Sequence, residues 1–348
     1  MSTIRTAVIG FGVAGRVFHA PLLTADQHFT LDAIVTGSPE RQQAARLAYP
    51  AADVLTTAEE LFGRADQLDL VVVATPNDSH ASLARAALDA GLDVVVDKPV
   101  AVTAQQAREL VEAAKAAGRA LTVFQNRRWD GDYLTLCDII AQGRLGDIRQ
   151  FDSSFEWWQP SIGTGWKDTT GPDAGGGVLW DLGPHLIDQA LQLFGDVTDI
   201  HAELDRRKDG AISDDESFLS LHHASGVRTR LWMSTLAPAP RPRFRVSGSQ
   251  AVFTSHGLDP QEAHSIDGRK PGETGFGLHD DARTAVLEGP EGAQDVTLKA
   301  GNYQEFYRRL ARALREGGPV PVDPSATIRS VEIIEEAILR FGPAVPMG

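Results

Sequence analysis

The chain has 348 residues, long for a single hydrophobic core and suited to two domains. Hydrophobic residues make up 42% and charged residues 23%, an ordinary globular balance, and the formal net charge of −14 argues against nucleic acid and anionic membrane as partners. The single cysteine, Cys137, excludes an intrachain disulfide and a cysteine-based zinc site, and no apolar run approaches the roughly 18 residues of a membrane span.

Met1-Ser2-Thr3-Ile4-Arg5 runs straight into an apolar segment without the basic, apolar, small-residue order of a signal peptide, so a cytoplasmic protein is expected. Strands are expected at Thr6–Ile9, Leu31–Val35, Leu68–Ala74, Asp93–Val96 and Leu121–Phe124. Helical patterns at Gly15–Thr24, Pro39–Ala48, His80–Ala90 and Ala104–Ala117 alternate with them, which is the signature of βαβ units and a parallel sheet. Past residue 124 the pattern changes. A helix at Asp132–Gln142 and a strand at Ile148–Trp157 lead to a loop rich in Gly, Trp and Pro over Trp158–Gly177, and a long helix follows at Val178–Phe194. Strands at Glu216–His222, Val227–Thr235, Arg243–Val246 and Ala251–Thr254 flank short turns and predict an antiparallel sheet. Gly257–Gly301 reads as loops with short strands, and helices are expected at Asn302–Arg315 and Ser325–Arg340. The expected fold is an α/β Rossmann domain over 1–124, then an α+β domain over 125–348 with a large open, mainly antiparallel sheet, the helix over 325–340 returning to the first domain.

Gly10-Phe11-Gly12-Val13-Ala14-Gly15 follows the first strand with the G-x-G-x-x-G spacing of a dinucleotide site. There the first glycine makes a tight turn, the second admits a pyrophosphate, and the third lets helix and strand pack closely. The second strand ends in Val35-Thr36-Gly37-Ser38-Pro39-Glu40-Arg41, without the carboxylate that an NAD site usually places there. Thr36 and Ser38 leave room and Arg41 adds a cation, so NADP is expected rather than NAD. Thr75, Pro76, Asn77 and His80, after the buried third strand, stand at a carboxyl strand end where such sheets bind ligands. Asp97-Lys98-Pro99 ends the next strand, and Asn126 and Arg127 follow the last one. Within Gly175-Gly176-Gly177-Val178-Leu179-Trp180-Asp181-Leu182-Gly183-Pro184-His185, a helix starting near Val178 puts Asp181 and His185 on one face. Neither this pair nor any H-E-x-x-H spacing supports a metal site.

These three motifs, in this order, make the chain resemble the Gfo/Idh/MocA oxidoreductases. Gly15-Arg16-Val17-Phe18-His19-Ala20-Pro21, Gln125-Asn126-Arg127-Arg128-Trp129-Asp130 and Asp181–Gln189 resemble the NADP-dependent scyllo-inositol dehydrogenase branch in particular. Asp97 stands where the family usually has Glu, which keeps the carboxylate but shortens its reach. The resemblance implies that Lys98 polarises the reacting oxygen, that His185 is the general acid/base, and that Asp181 binds substrate and tunes both. Cofactor contacts are then expected from Gly10, Phe11, Gly12, Val13, Ala14, Gly15, Thr36, Ser38, Arg41, Thr75, Pro76, Asn77, His80, Asp97, Lys98 and Asn126. Substrate contacts are expected from Lys98, Arg127, Trp166, Asp181 and His185, with Trp166 preferred to Trp157 and Trp158 as the indole against a sugar face.

The expected reaction is NADP-dependent oxidation of a secondary hydroxyl of a sugar or inositol-like polyol, or its reverse. Apolar strand residues such as Phe218, Leu219, Leu231 and Trp232 are expected on an uncovered sheet face, which predicts a homodimer or homotetramer. Two alternatives stand beside this reading: a non-catalytic dinucleotide-binding sensor, which has no need to keep Lys98, Asp181 and His185 together, and a dihydrodiol dehydrogenase or glucose–fructose oxidoreductase, the latter marked by a cofactor that survives dialysis.

Overall fold

The computed structural model describes residues 3–279 and 284–342. In chain order, β1 (Ile4–Ile9) leads through a widened π-type turn over Ala14–His19 into α1 (Ala20–Thr24). Then come β2 (Phe29–Val35), α2 (Pro39–Ala48), β3 (Asp53–Leu55), α3 (Ala58–Phe62), β4 (Leu70–Val73), α4 (His80–Asp89), β5 (Asp93–Asp97), α5 (Ala104–Ala117) and β6 (Leu121–Phe124). The second half runs through α6 (Gly131–Ala141), β7 (Ile148–Glu156), α7 (Trp166–Thr169), α8 (Val178–Phe194), β8 (Val197–Asp205), β9 (Glu216–His223), β10 (Arg228–Ser234), β11 (Phe244–Gly248) and β12 (Val252–Ser255). It closes with α9 (Gln261–Ile266), β13 (Thr284–Gly289), β14 (Gly292–Thr297), α10 (Gln304–Glu316) and α11 (Pro324–Phe341).

Local sequence sets these boundaries. Ser38 accepts a hydrogen bond from the Arg41 amide at the start of α2, with Pro39 in the first turn. Thr103 does the same for Gln106 in α5, and Gly118 ends that helix in the left-handed region at φ +62°. The first sheet is parallel throughout, in the order β3-β2-β1-β4-β5-β6, which is the Rossmann order. Leu70, Val71, Val72 and Val73 of β4 are all 0% exposed, as a strand covered on both faces requires.

The chain forms two compact units, and the first is discontinuous. It comprises the described residues of Met1–Asn126, Pro260–Phe276 and Asn302–Arg329. A single boundary after residue 124 therefore omits α9 and α10. Helix α10 belongs to this unit through its aromatic face. Phe306 sits 4.9 Å from Phe124 and Tyr307 sits 5.4 Å from Phe29, both edge to face. Thr122 Oγ1 donates to the Val322 carbonyl at 2.8 Å.

The second unit comprises the described residues of Arg127–Asp259, Gly277–Gly301 and Ser330–Gly348, so α11 divides between the two units at residue 329. Its eight-stranded sheet has the order β14-β13-β12-β11-β7-β10-β9-β8 and is antiparallel except where β7 and β10 run parallel. Helix α8 packs on β7, β9 and β10, against a layer in which Leu219, Leu221, Leu231 and Met233 are fully buried. Leu219 and Leu231 were expected on the uncovered face. Because side chains alternate along a strand, they belong to the covered one, and the paired Phe218 and Trp232 lie on the other, partly exposed.

Five elements escaped the sequence pattern, one of them the four-residue α7 within the loop expected over Trp158–Gly177. In β8 a register shift between Val197 and Asp199 breaks the period-two alternation. Both β3 and α3 are short, with little buried surface. Helix α9, six residues long, lies in the Gly257–Gly301 stretch read only as loops and strands.

Candidate active site

In the first unit, the dinucleotide motif has the geometry its spacing implies. Gly10 adopts φ +98°, and a Cβ there would lie 2.3 Å from the Ala74 carbonyl oxygen of the neighbouring strand. A Cβ on Gly15 would lie 2.0 Å from the Gly10 carbonyl oxygen. Both positions therefore admit only glycine. Gly12 differs: among the described residues beyond its chain neighbours, only Nη1 of Arg41 comes near its would-be Cβ, at 3.8 Å. Backbone that is open to solvent at the second glycine, with a guanidinium beside it, fits a phosphate-bearing dinucleotide.

Around this turn, Thr36 is buried and its carbonyl accepts from Gln42 Nε2 at 2.9 Å. Ser38 and Arg41 remain partly or fully exposed. Phe11 is buried while Val13 is 57% exposed at the turn. At the end of β4, Thr75 Oγ1 accepts from Ser79 at 2.7 Å, Pro76 is exposed and Asn77 is buried. Asn126 is buried after β6.

His80 departs from its expected role. It is 0% exposed, and its ring nitrogens lie 2.7 Å from the Pro99 carbonyl and 2.9 Å from the Thr75 carbonyl. Burial lowers its pKa below the ordinary histidine value. It is a clamp between the two loops that follow β4 and β5, and it influences a cofactor only through them.

Asp97 and Lys98 end β5. Burial opposes the Asp97 charge, but His19, Lys98 and His80 outweigh it and hold the carboxyl below its usual range. His19 is fully buried, with Nδ1 2.7 Å from the Tyr307 hydroxyl and Nε2 3.7 Å from Asp97. Burial pushes the pKa of the Tyr307 hydroxyl up, and that hydroxyl shares a hydrogen bond with His19 Nδ1 while Nε2 faces Asp97. Asp97 is thus anchored by a buried His–Tyr pair.

In the second unit, the glycine run before α8 serves a tight junction. Gly177 has φ +94°, and a Cβ on it would fall 2.0 Å from Asp214 Oδ1. Asp214 Oδ2 accepts from the Leu179 amide at 2.7 Å and from Ser217 at 2.6 Å, which caps the helix. Burial, partly offset by these bonds, pushes the Asp214 carboxyl up to about 6. One turn into α8, Asp181 accepts from Lys167 Nζ at 2.6 Å. His185 follows a turn later, buried, with its ring 6.2 Å from that of Phe155.

A cavity of about 180 Å³ opens at this helix start, lined by Trp157, Gln159, Lys167, Asp181, Lys208 and Asp214 among others. Asp181 lines it. Trp166 does not. It begins α7, half-exposed, and the indole that lines the cavity is Trp157. Arg127 does not line it either. It is buried, with its guanidinium 5.2 Å from the Phe155 ring centre and 3.7 Å from Asp130. It belongs to a buried charge cluster with Asp130, Asp132 and Arg243. Burial there pushes the Asp132 carboxyl up to about 6 against the pull of Arg243. Lys208 and Asp214 were missed by sequence reasoning, their only signal being the adjacent acids Asp214 and Asp215 just before a strand.

The family model for an oxidoreductase with an NAD-binding Rossmann fold matches residues 4–125, and that for the GFO/IDH/MocA C-terminal domain matches residues 133–254. The chain belongs to the Gfo/Idh/MocA family. As a member it is an NAD(P)-dependent oxidoreductase. Among its Gfo/Idh/MocA relatives, the uncharacterised oxidoreductase YdgJ of Escherichia coli is 40% identical, over 96% of this chain and 95% of that one. The scyllo-inositol 2-dehydrogenase (NADP(+)) IolW of Bacillus subtilis is 31% identical, over 97% of this chain and 94% of that one. The solved structure of yvaA from Bacillus subtilis superposes with a TM-score of 0.90 at 32% identity, covering 97% of this chain and 96% of that one. Among the described residues, no helix of this Gfo/Idh/MocA protein is long and apolar enough to cross a membrane.

Proposed function

We propose that this protein is a cytoplasmic NADP(H)-dependent dehydrogenase that oxidises a secondary hydroxyl of a sugar or inositol-like polyol to a ketone or lactone, or carries out the reverse reduction. The observation that carries this reading is the cavity at the start of α8, where one indole, carboxylates and ammonium groups line a space of about 180 Å³. Indole faces pack against sugar C–H groups, and paired donors and acceptors read hydroxyls. The NADP-dependent scyllo-inositol enzyme among the relatives supports the substrate class and the cofactor.

NADP, when bound, supplies the hydride acceptor. The chain supplies the rest. Lys98 hydrogen-bonds the reacting oxygen and stabilises the negative charge that grows on it. His185 takes the hydroxyl proton as general base and returns it as general acid in the reverse direction. Asp181, whose carboxylate is held by Lys167, accepts a hydrogen bond from a substrate hydroxyl. Lys98→Met and His185→Ala are each expected to lower kcat by ~10²–10⁴-fold while NADPH binding, followed by nicotinamide fluorescence, stays nearly unchanged. Full activity in both variants, or no turnover of any polyol in a panel of cyclitols and aldoses, would refute the reading.

We further propose that the protein self-associates through the uncovered face of the eight-stranded sheet. Phe218 and Trp232 pack there with tilted rings, their centres 5.3 Å apart, flanked by Arg230 and Arg241.

A further inference from the structure

Lys208 lies in the loop between β8 and β9 and lines the cavity at the start of α8. The residue is only 7% exposed, and its Nζ is shielded from solvent and donates no hydrogen bond within the described residues. The backbone, not the ammonium, holds it in place. Its amide donates to Asp215 Oδ2 at 2.9 Å, the Arg207 amide donates to Asp215 Oδ1 at 2.9 Å, and its carbonyl accepts from the Ala211 amide at 3.1 Å. Three of the four carboxylates that line the cavity are engaged elsewhere: Asp181 with Lys167, Asp214 with Leu179 and Ser217, Asp215 with the loop itself. A buried ammonium is costly unless something accepts its protons, and the protein leaves that acceptor to be supplied from the cavity.

We propose that Lys208 is a specificity-determining residue, its ammonium donating to a polyol oxygen remote from the reacting carbon. The inference rests on the polyol dehydrogenase reading. The lining carries Asp168, Asp181, Asp214 and Asp215 against Lys167 and Lys208, a balance that opposes an anionic ligand. A hydroxyl suits both signs, because it accepts from Lys208 and donates to a neighbouring carboxylate. A site built around such a donor discriminates against an analogue lacking that hydroxyl.

The test compares wild type with Lys208→Met, a neutral side chain of similar length, and Lys208→Gln, which retains a donor. On a polyol that the wild type oxidises, Lys208→Met is expected to raise KM by ~10–100-fold with kcat within about threefold, and Lys208→Gln to fall between. The melting temperature should be unchanged or higher, since an unmatched buried charge has been removed. An unchanged KM with a lowered melting temperature would mark the lysine as structural and overturn the proposal. If the wild type turns over no polyol, the dehydrogenase reading fails on that result alone. Lys208 is then judged by calorimetric titration of scyllo-inositol, D-glucose and D-gluconate into the NADPH-loaded protein. Binding of a neutral polyol that Lys208→Met abolishes supports it. Equal binding by the variant, preference for gluconate, or no binding to the wild type overturns it.

Discussion

On the proposed NADP reading, Arg41 is the side chain that selects the cofactor. It is exposed on the first turn of α2, its amide is held by Ser38, and its guanidinium lies beside the open second glycine of the dinucleotide turn. No carboxylate stands at the end of β2 to hold a ribose 2′-hydroxyl, and on the proposed reading the nearby charge favours a 2′-phosphate. Replacing Arg41 with Ala should raise the KM for NADP by ~10–100-fold, the range of a lost charge-assisted hydrogen bond, and change that for NAD little. Steady-state kinetics with both cofactors check this, and equal losses for the two would remove Arg41 from the selection.

At the scale of elements, the junction from Gly175 to α8 joins a cap, a turn and the helix face that carries Asp181 and His185. Gly177 is fixed by its positive φ and by Asp214 beside it. Gly177→Ala should cost ~1–3 kcal/mol in stability through strain, with displacement of the cap adding to it. It should also lower kcat by shifting Asp181, and thermal unfolding with kinetics on the same preparation reads both effects. The glycines before α8 were visible in the sequence, as were the ends of α5 and β6, because capping residues and apolar runs are local signals. Asp181 and His185 were legible for the same reason, through helical spacing. Lys208, Asp214 and the lining role of Trp157 were not, since cavity walls bring together residues far apart in sequence. Strand β8 was lost to its own irregular register, and Leu219 and Leu231 were set on the wrong face because both positions are apolar while only alternation tells them apart.

For the molecule as a whole, the uncovered sheet face predicts association. Phe218 and Trp232, neighbours across β9 and β10, put aromatic area where solvent would otherwise lie. Light scattering at micromolar concentration should give a dimer or tetramer, and Trp232→Glu should shift it toward monomer. A wild-type monomer would contradict the assignment. The discontinuous first unit bears on how the protein is made. Tyr307 and Phe306 shield the aromatic rings of β2 and β6, and Val322 completes a hydrogen bond to β6. During synthesis, the dinucleotide fold must therefore wait with an open flank until residues 302–329 have left the ribosome. A message truncated after β6 would yield a sheet with its aromatic seam bare, prone to clumping instead of binding nucleotide.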